Sequence, residues 1–115
     1  SCRITPKLTG NKNVYAKGIQ TMNCVIYAKQ NNEISVYKQY NQCAALAKRY
    51  GYSIESRVLD FDGTNFHKAV NKVIAEHDVV ALIIYNSDIV FNDHSEFVFY
   101  KVYFSKLNKE LIMVE

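Results

Sequence analysis

Proline is almost absent from this chain, and glycine never clusters. The single proline, Pro6, and two of the four glycines, Gly10 and Gly18, lie within the first 22 residues. Without a glycine-rich loop after a strand there is nothing to cradle a pyrophosphate, so no nucleotide cofactor is expected. Cys2, Cys24 and Cys43 are odd in number and lack metal-ligand spacing. His67, His77 and His94 stand ten and seventeen residues apart with no cysteine close by, which is not a metal-site pattern either. Neither a metal nor any other cofactor is therefore expected, and a reducing, cytoplasmic setting is the simplest reading. Long apolar runs are missing too. Stretches such as Val79–Tyr85 fall far short of the roughly 20 residues that a membrane span needs. A charged-then-apolar leader is not visible at the N-terminus, so no membrane partnership is expected.

What is present suits one soluble domain. At 115 residues, 49% hydrophobic and 13% aromatic, the chain is long enough for one domain and too short for two. Its net charge of +3 is unevenly spread. Residues 1–22 carry Arg3, Lys7, Lys12 and Lys17 and no acid, whereas residues 23–115 hold 10 bases against 11 acids. We therefore read 1–22 as a basic arm or extension, with one short element around Val14–Ile19, and 23–115 as the domain. Met22 stands where an ordinary start codon could be, which marks the arm as an expected appendage. A basic arm on a near-neutral body can grip phosphates, so DNA is one expected partner through Arg3, Lys7, Lys12 and Lys17.

From Asn23 onward the pattern alternates. Asn23–Lys29 reads as a strand. Ser35–Tyr50 places Val36, Tyr40, Cys43, Ala44 and Ala47 on one helical face, with Ser35 as N-cap and Gly51 as the left-handed residue after the last turn. A second strand falls within Tyr52–Phe61 and turns at Asp62-Gly63. Asn65–Glu76 is helical, with Phe66, Val70, Val73 and Ile74 as the expected buried stripe. Asp78–Tyr85 (DVVALIIY) is the strongest strand, its unbroken apolar run suited to cover on both faces. A helix over Ser95–Asn108 and a short strand over Leu111–Val114 complete the series.

Strand–helix alternation with short connections predicts a single three-layer α/β domain. Its sheet is mainly parallel, four- or five-stranded, with helices on both faces. Ligands of such sheets bind beyond the carboxyl ends of the strands. That edge gathers Gln30–Glu33, Asp60–Thr64 and Asn86–Asp93, with Lys29 and His94 close by.

These segments resemble the catalytic domain of the resolvase/invertase serine recombinases. That family opens with hhhYARhS, in which serine is the nucleophile, and continues with a helix of the form SLxxQxxxLxxYAxxxGY. Here VIYAK matches the strand. After a contracted loop, Ser35-Val36 and Gln39 fall in the SLxxQ register, and Ala47, Gly51 and Tyr52 complete AxxxGY. The later DVVALIIYNSDIV looks like the family's DVVhVhKhDRL, with Asp88 on its aspartate. The resemblance spans about residues 23–115 and implies a resolvase-like fold, DNA as substrate, and subunits that work as oligomers.

The departures carry as much information as the matches. Asn31 occupies the nucleophile position, Lys29 replaces the arginine two residues before it, and Ile89 and Asn92 fall where later arginines belong. The Asp-x-Gly-x-Ser-Gly loop is reduced to DFDGTNFH, which keeps Asp62 but no arginine or proline. An amide cannot form a phosphoester. Lysine does not reproduce the forked contacts by which guanidinium groups stabilise charge on a phosphoryl oxygen. The resemblance thus implies a degenerate site at Lys29, Asn31, Ser35, Gln39, Asp62 and Asp88, a pseudoenzyme acting as a DNA-associated or subunit-association module. Two alternatives stay open at this point. Ser35 could serve as the nucleophile of a diverged recombinase. VLDFDGT also resembles the first motif of haloacid dehalogenase-like phosphatases, which would make Asp60 the nucleophile and Asp62 the acid/base around magnesium. Finally, EFVFYKVYF holds more apolar surface than one helix face can bury. It is the expected seat of association with a second copy or another recombinase-like subunit.

Overall fold

A computed structural model of the chain describes residues 22–115. The arm residues Arg3, Lys7, Lys12 and Lys17, and the element expected around Val14–Ile19, lie outside the described residues. Four strands and four helices follow one another: β1 (Asn23–Lys29), α1 (Val36–Arg49), β2 (Ser53–Asp60), α2 (Phe66–Ala75), β3 (Val79–Ile84), α3 (Ser87–Val90), α4 (His94–Lys106) and β4 (Glu110–Met113). The short α3 is an addition to the expected set. It forms because Asn86 is extended and its side chain accepts from the Ile89 amide, an N-cap that a four-residue helix cannot announce by periodicity.

All strands are parallel, in the order β2-β1-β3-β4. The α/β class, the parallel sheet and the helices on both faces are as expected, with four strands. Right-handed crossovers dictate the layering. The step from β1 to β2 runs toward one edge, so α1 covers one face. The steps to β3 and then β4 run the other way, so α2, α3 and α4 cover the opposite face. Two cores result. Cys24, Ile26, Ala81 and Ile83 meet Cys43, Leu46 and Ala47 of α1. Val25, Tyr27, Leu82 and Ile84 meet Val70, Val73, Phe97 and Phe104 on the other side. Alternate residues of β1 thus serve different cores, which is why NCVIYAK is buried throughout its centre.

Helix ends follow local chemistry. Ser35 caps α1 through its side-chain oxygen, which accepts from the Lys38 amide at 3.2 Å. Gly51 has φ +82°, and the Tyr52 amide reaches back to the Ala47 carbonyl at 2.9 Å, closing the helix as a Schellman turn. Asn108 repeats the device after α4 with φ 59°, its neighbour Lys109 donating to the Phe104 carbonyl at 2.9 Å. One core expectation fails: Ile74 is 39% exposed and Ala69 fills the inner position of α2 instead.

Candidate functional site

The face of α1 and the face of α3 and α4 diverge at β1 and β3, making the carboxyl end of those two strands the topological switch point. An open cleft lies there, lined by Asn31, Asn32, Glu33, Asp88 and Ile89. The sequence reading had placed Asn31 and Asp88 at one sheet edge, and the fold brings them to one cleft. Its lining holds two carboxylates, two amides and an isoleucine, and no cation. A phosphodiester entering it would meet a field of its own sign.

The loop beneath the cleft is held by its own side chains. Asn31 donates through Nδ2 to the carbonyls of Lys29 at 3.0 Å and Ile34 at 3.1 Å. Its Oδ1 accepts from the amides of Glu33 at 2.7 Å and Ile34 at 3.1 Å. Every polar valence of this amide is therefore spent within residues 29–34. Gln39 completes the clasp from α1. It is fully buried, accepts from the Lys29 amide at 3.0 Å, and donates to the carbonyls of Lys29 at 2.6 Å and Ile34 at 3.0 Å. A polar side chain buried with all its partners satisfied fixes one loop conformation. Lys29 itself passes over the neighbouring turn, its Cε 3.5 Å from where a Cβ on Gly63 would stand.

Asp60 ends β2 beside this loop, and its surroundings correct one reading of the sequence. Asp60 is fully buried. Oδ2 accepts from the Tyr27 hydroxyl at 2.5 Å and the Asn65 amide at 2.9 Å, while Oδ1 accepts from the Gly63 amide at 2.8 Å and Asn65 Nδ2 at 3.1 Å. Burial by itself would raise this carboxyl, but the donors prevail and lower it to about 2. Burial, reinforced by the bond to Asp60, pushes the Tyr27 phenol well above its ordinary range. A carboxylate enclosed by four donors has no face from which to attack a substrate or hold magnesium. Asp62 is engaged in the turn, accepting from Thr64 Oγ1 at 2.7 Å and from the Thr64 amide at 3.0 Å. The phosphohydrolase reading of Asp60 and Asp62 does not survive this geometry.

The remaining candidates scatter. Ser35 is committed as the N-cap of α1. His94 lies exposed at the start of α4 with its ring 5.9 Å from that of Phe97, and Asn92 is exposed nearby, its amide bonded to Glu96 Oε1 at 2.9 Å. His67 and His77 are exposed elsewhere. Among the described residues no group of three or more histidines, cysteines or acids gathers as a metal site, and no helix is long and apolar enough to cross a membrane. The Tyr27–Asp60 pair was missed from sequence. Its signal was a lone tyrosine on the α2-facing side of β1, paired with Val58 and so two residues short of the aspartate that ends the adjacent strand.

No family model and no curated protein matches the sequence. Solved structures do. The C-terminal catalytic domain of ISC1926 TnpA, an IS607-like serine recombinase, superposes with a TM-score of 0.62 over 82% of this chain and 70% of that one, at 20% identity. The N-terminal catalytic domain of TP901-1 integrase gives 0.65 over 80% and 76%, at 15% identity. The corresponding domain of IS1535 TnpA, also IS607-like, gives 0.56 over 80% and 70%, at 12% identity. This is the fold of a serine-recombinase catalytic domain. At such identities it is the fold that is shared. In this fold Asn31 and Asp88 line one cleft at the carboxyl end of β1 and β3.

Proposed function

We infer that this recombinase-fold domain no longer performs strand cleavage and works by association. Its partners in this reading are DNA, through Arg3, Lys7, Lys12 and Lys17, and a second copy or another recombinase-like subunit. The observation that carries the reading is Asn31. Cleavage by a serine recombinase needs a free hydroxyl and several guanidinium groups around the scissile phosphate. The position holds an amide whose four hydrogen bonds all go to the backbone of its own loop. Around it stand Glu33, Asp88 and Ile89. Loss of even one oxyanion donor costs on the order of 2.7–4 kcal/mol of barrier in well-studied sites, and here the attacking group is changed as well. Free, buried Cys24 and Cys43 accord with a reducing, cytoplasmic setting.

The test is covalent capture. The full chain is incubated with supercoiled plasmid and with nicked oligonucleotides, then denatured and examined for protein-linked DNA. The expected result is no adduct. An adduct lost in Ser35→Ala would overturn the reading in favour of a diverged recombinase. Binding is measured in parallel by fluorescence anisotropy over a salt series, with the full chain and a chain beginning at Met22. If the arm neutralises four phosphates, log affinity falls with log salt at a slope of about −3.6, and removal of the arm flattens it.

A further inference from the structure

The helix α4 carries apolar side chains on its outer face as well as its inner one, with Lys101, Ser105 and Lys106 exposed between and beyond them. Phe97 and Phe104 are buried against the sheet, while Val98, Phe99 and Val102 are 41%, 60% and 47% exposed. A helix that only covered a sheet would keep polar residues on its outer face. These three exposed side chains follow a spacing of three and four residues, and Ser95 and Lys106 extend the strip by a turn at each end. Phe99 is held in its outward position. Its ring lies parallel to Tyr103 at 6.1 Å (interplanar 5°) and edge-on to Tyr100 at 5.1 Å. A braced, exposed aromatic loses little freedom on being covered.

Charge decides what covers it. Asp93 is the N-cap and Glu96 lies in the first turn, Lys101 stands in mid-helix to one side of the strip, and the last turn carries Lys106. A second identical helix laid antiparallel about a two-fold axis puts each Lys106 beside the other copy's acidic turn. It also opposes the helix dipoles favourably. A parallel pairing would set like charges together. The domain's 10 bases against 11 acids leave two copies free of strong mutual repulsion.

We propose that α4 is a self-association surface, on which two copies of this domain pack antiparallel through Val98, Phe99 and Val102, with Lys106 of each reaching Asp93 and Glu96 of the other. The proposal rests on the association reading above and names its surface, partner and geometry. Such contacts are isologous, so each one occurs twice. One 13-residue helix, about 20 Å long, buries less than the roughly 800 Å² per partner of a standard interface, so the association is expected to be reversible.

Sedimentation of the full chain over a concentration series is expected to show a reversible monomer–dimer equilibrium. Phe99→Glu and Val102→Glu should each weaken it by about tenfold or more, and Lys106→Glu by a smaller factor that vanishes at high salt. Circular dichroism matching the parent keeps each variant interpretable, since all three positions face solvent. Geometry is tested by oxidation in a Cys2→Ser background. Ser95→Cys with Lys106→Cys should yield a covalent dimer, and Ser95→Cys alone should not. A parent monomeric throughout, a dimer indifferent to Phe99→Glu, or cross-linking by Ser95→Cys alone would each overturn the proposal. None of these bears on strand cleavage. A covalent DNA adduct would sink the loss-of-chemistry reading whatever the state of association, and a monomer without an adduct would sink only the α4 dimer.

Discussion

The Tyr27 hydroxyl donates to Asp60 Oδ2 at 2.5 Å inside the core, joining the middle of the sheet to the turn that follows β2. Asp60 in turn collects the Gly63 and Asn65 amides, so one carboxylate sets the course of residues 60–65. The pair lies under the carboxyl edge of the sheet, next to the loop of residues 29–34.

This arrangement has a pH signature. The folded-state carboxyl of Asp60 is lowered from 3.8 to about 2, so its stabilisation is fully present above the unfolded value and is lost as pH falls from 3.8 through 2. The shift corresponds to about 2 kcal/mol. Tyr27→Phe removes one donor, at a cost of about 1–2 kcal/mol, and should move the acid limb to higher pH. Urea midpoints measured between pH 2 and 7 check both. An unchanged acid limb in Tyr27→Phe would mean that the short hydrogen bond does not govern Asp60.

Gln39 holds both backbone groups of Lys29 and the Ile34 carbonyl. Gln39→Leu keeps the volume but leaves the Lys29 amide without its partner and the Lys29 and Ile34 carbonyls with Asn31 Nδ2 alone, and about 1–3 kcal/mol of stability should be lost. Gln39→Glu should be at least as damaging at neutral pH, because a carboxylate cannot donate to the two carbonyls. Chemical denaturation with amide exchange at residues 29–34 reads the effect. Protection there equal to the parent's would show that the clasp is dispensable.

Placing a serine at the position proposed for the nucleophile should not confer strand cleavage. Asn31→Ser exchanges four loop hydrogen bonds for one hydroxyl, and the cleft still lacks guanidinium groups. The expected outcome is a loss of about 1–2 kcal/mol and no protein-linked DNA in the capture assay. Cleavage by this variant would show that the site is one substitution from activity.

The two core thiols should be inert at neutral pH. Burial raises Cys24 to about 11 and Cys43 to about 12, which keeps both as unreactive thiols. In a chain beginning at Met22, iodoacetamide at pH 8 should label neither until denaturant is added. Because the folded values are raised, the linked stability is intact below about 9 and declines as pH climbs toward 11 and 12. Labelling of the native protein at the unfolded rate would refute the burial argument.

The extent to which this protein can be read from its sequence differs between fold and site. Each element from Asn23 onward, apart from α3, lies within about two residues of its expected place. The unbroken apolar runs of NCVIYAK and DVVALIIY, the Ser35 cap and Gly51 are local signals, and burial enforces them. The parallel sheet follows because short strand–helix–strand connections permit little else. The place of Asn31 and Asp88 at the carboxyl edge of the sheet was legible as well, since the order of strands and loops fixes it. The sequence did not reveal what the polar residues do. Asp60 stands in a string resembling a phosphatase motif, and only the neighbouring strand, which brings Tyr27 against it, turns it from a candidate nucleophile into a buried anchor. Gln39 looked like a family position and is a structural clasp, because the end of β1 lies within reach of α1. Partners distant in sequence set the charge and accessibility of such groups, and those are brought together by the tertiary fold. The same holds for α4: its apolar sequence promised association, and only the packing of Phe97 and Phe104 inward left Val98, Phe99 and Val102 as the face that remains.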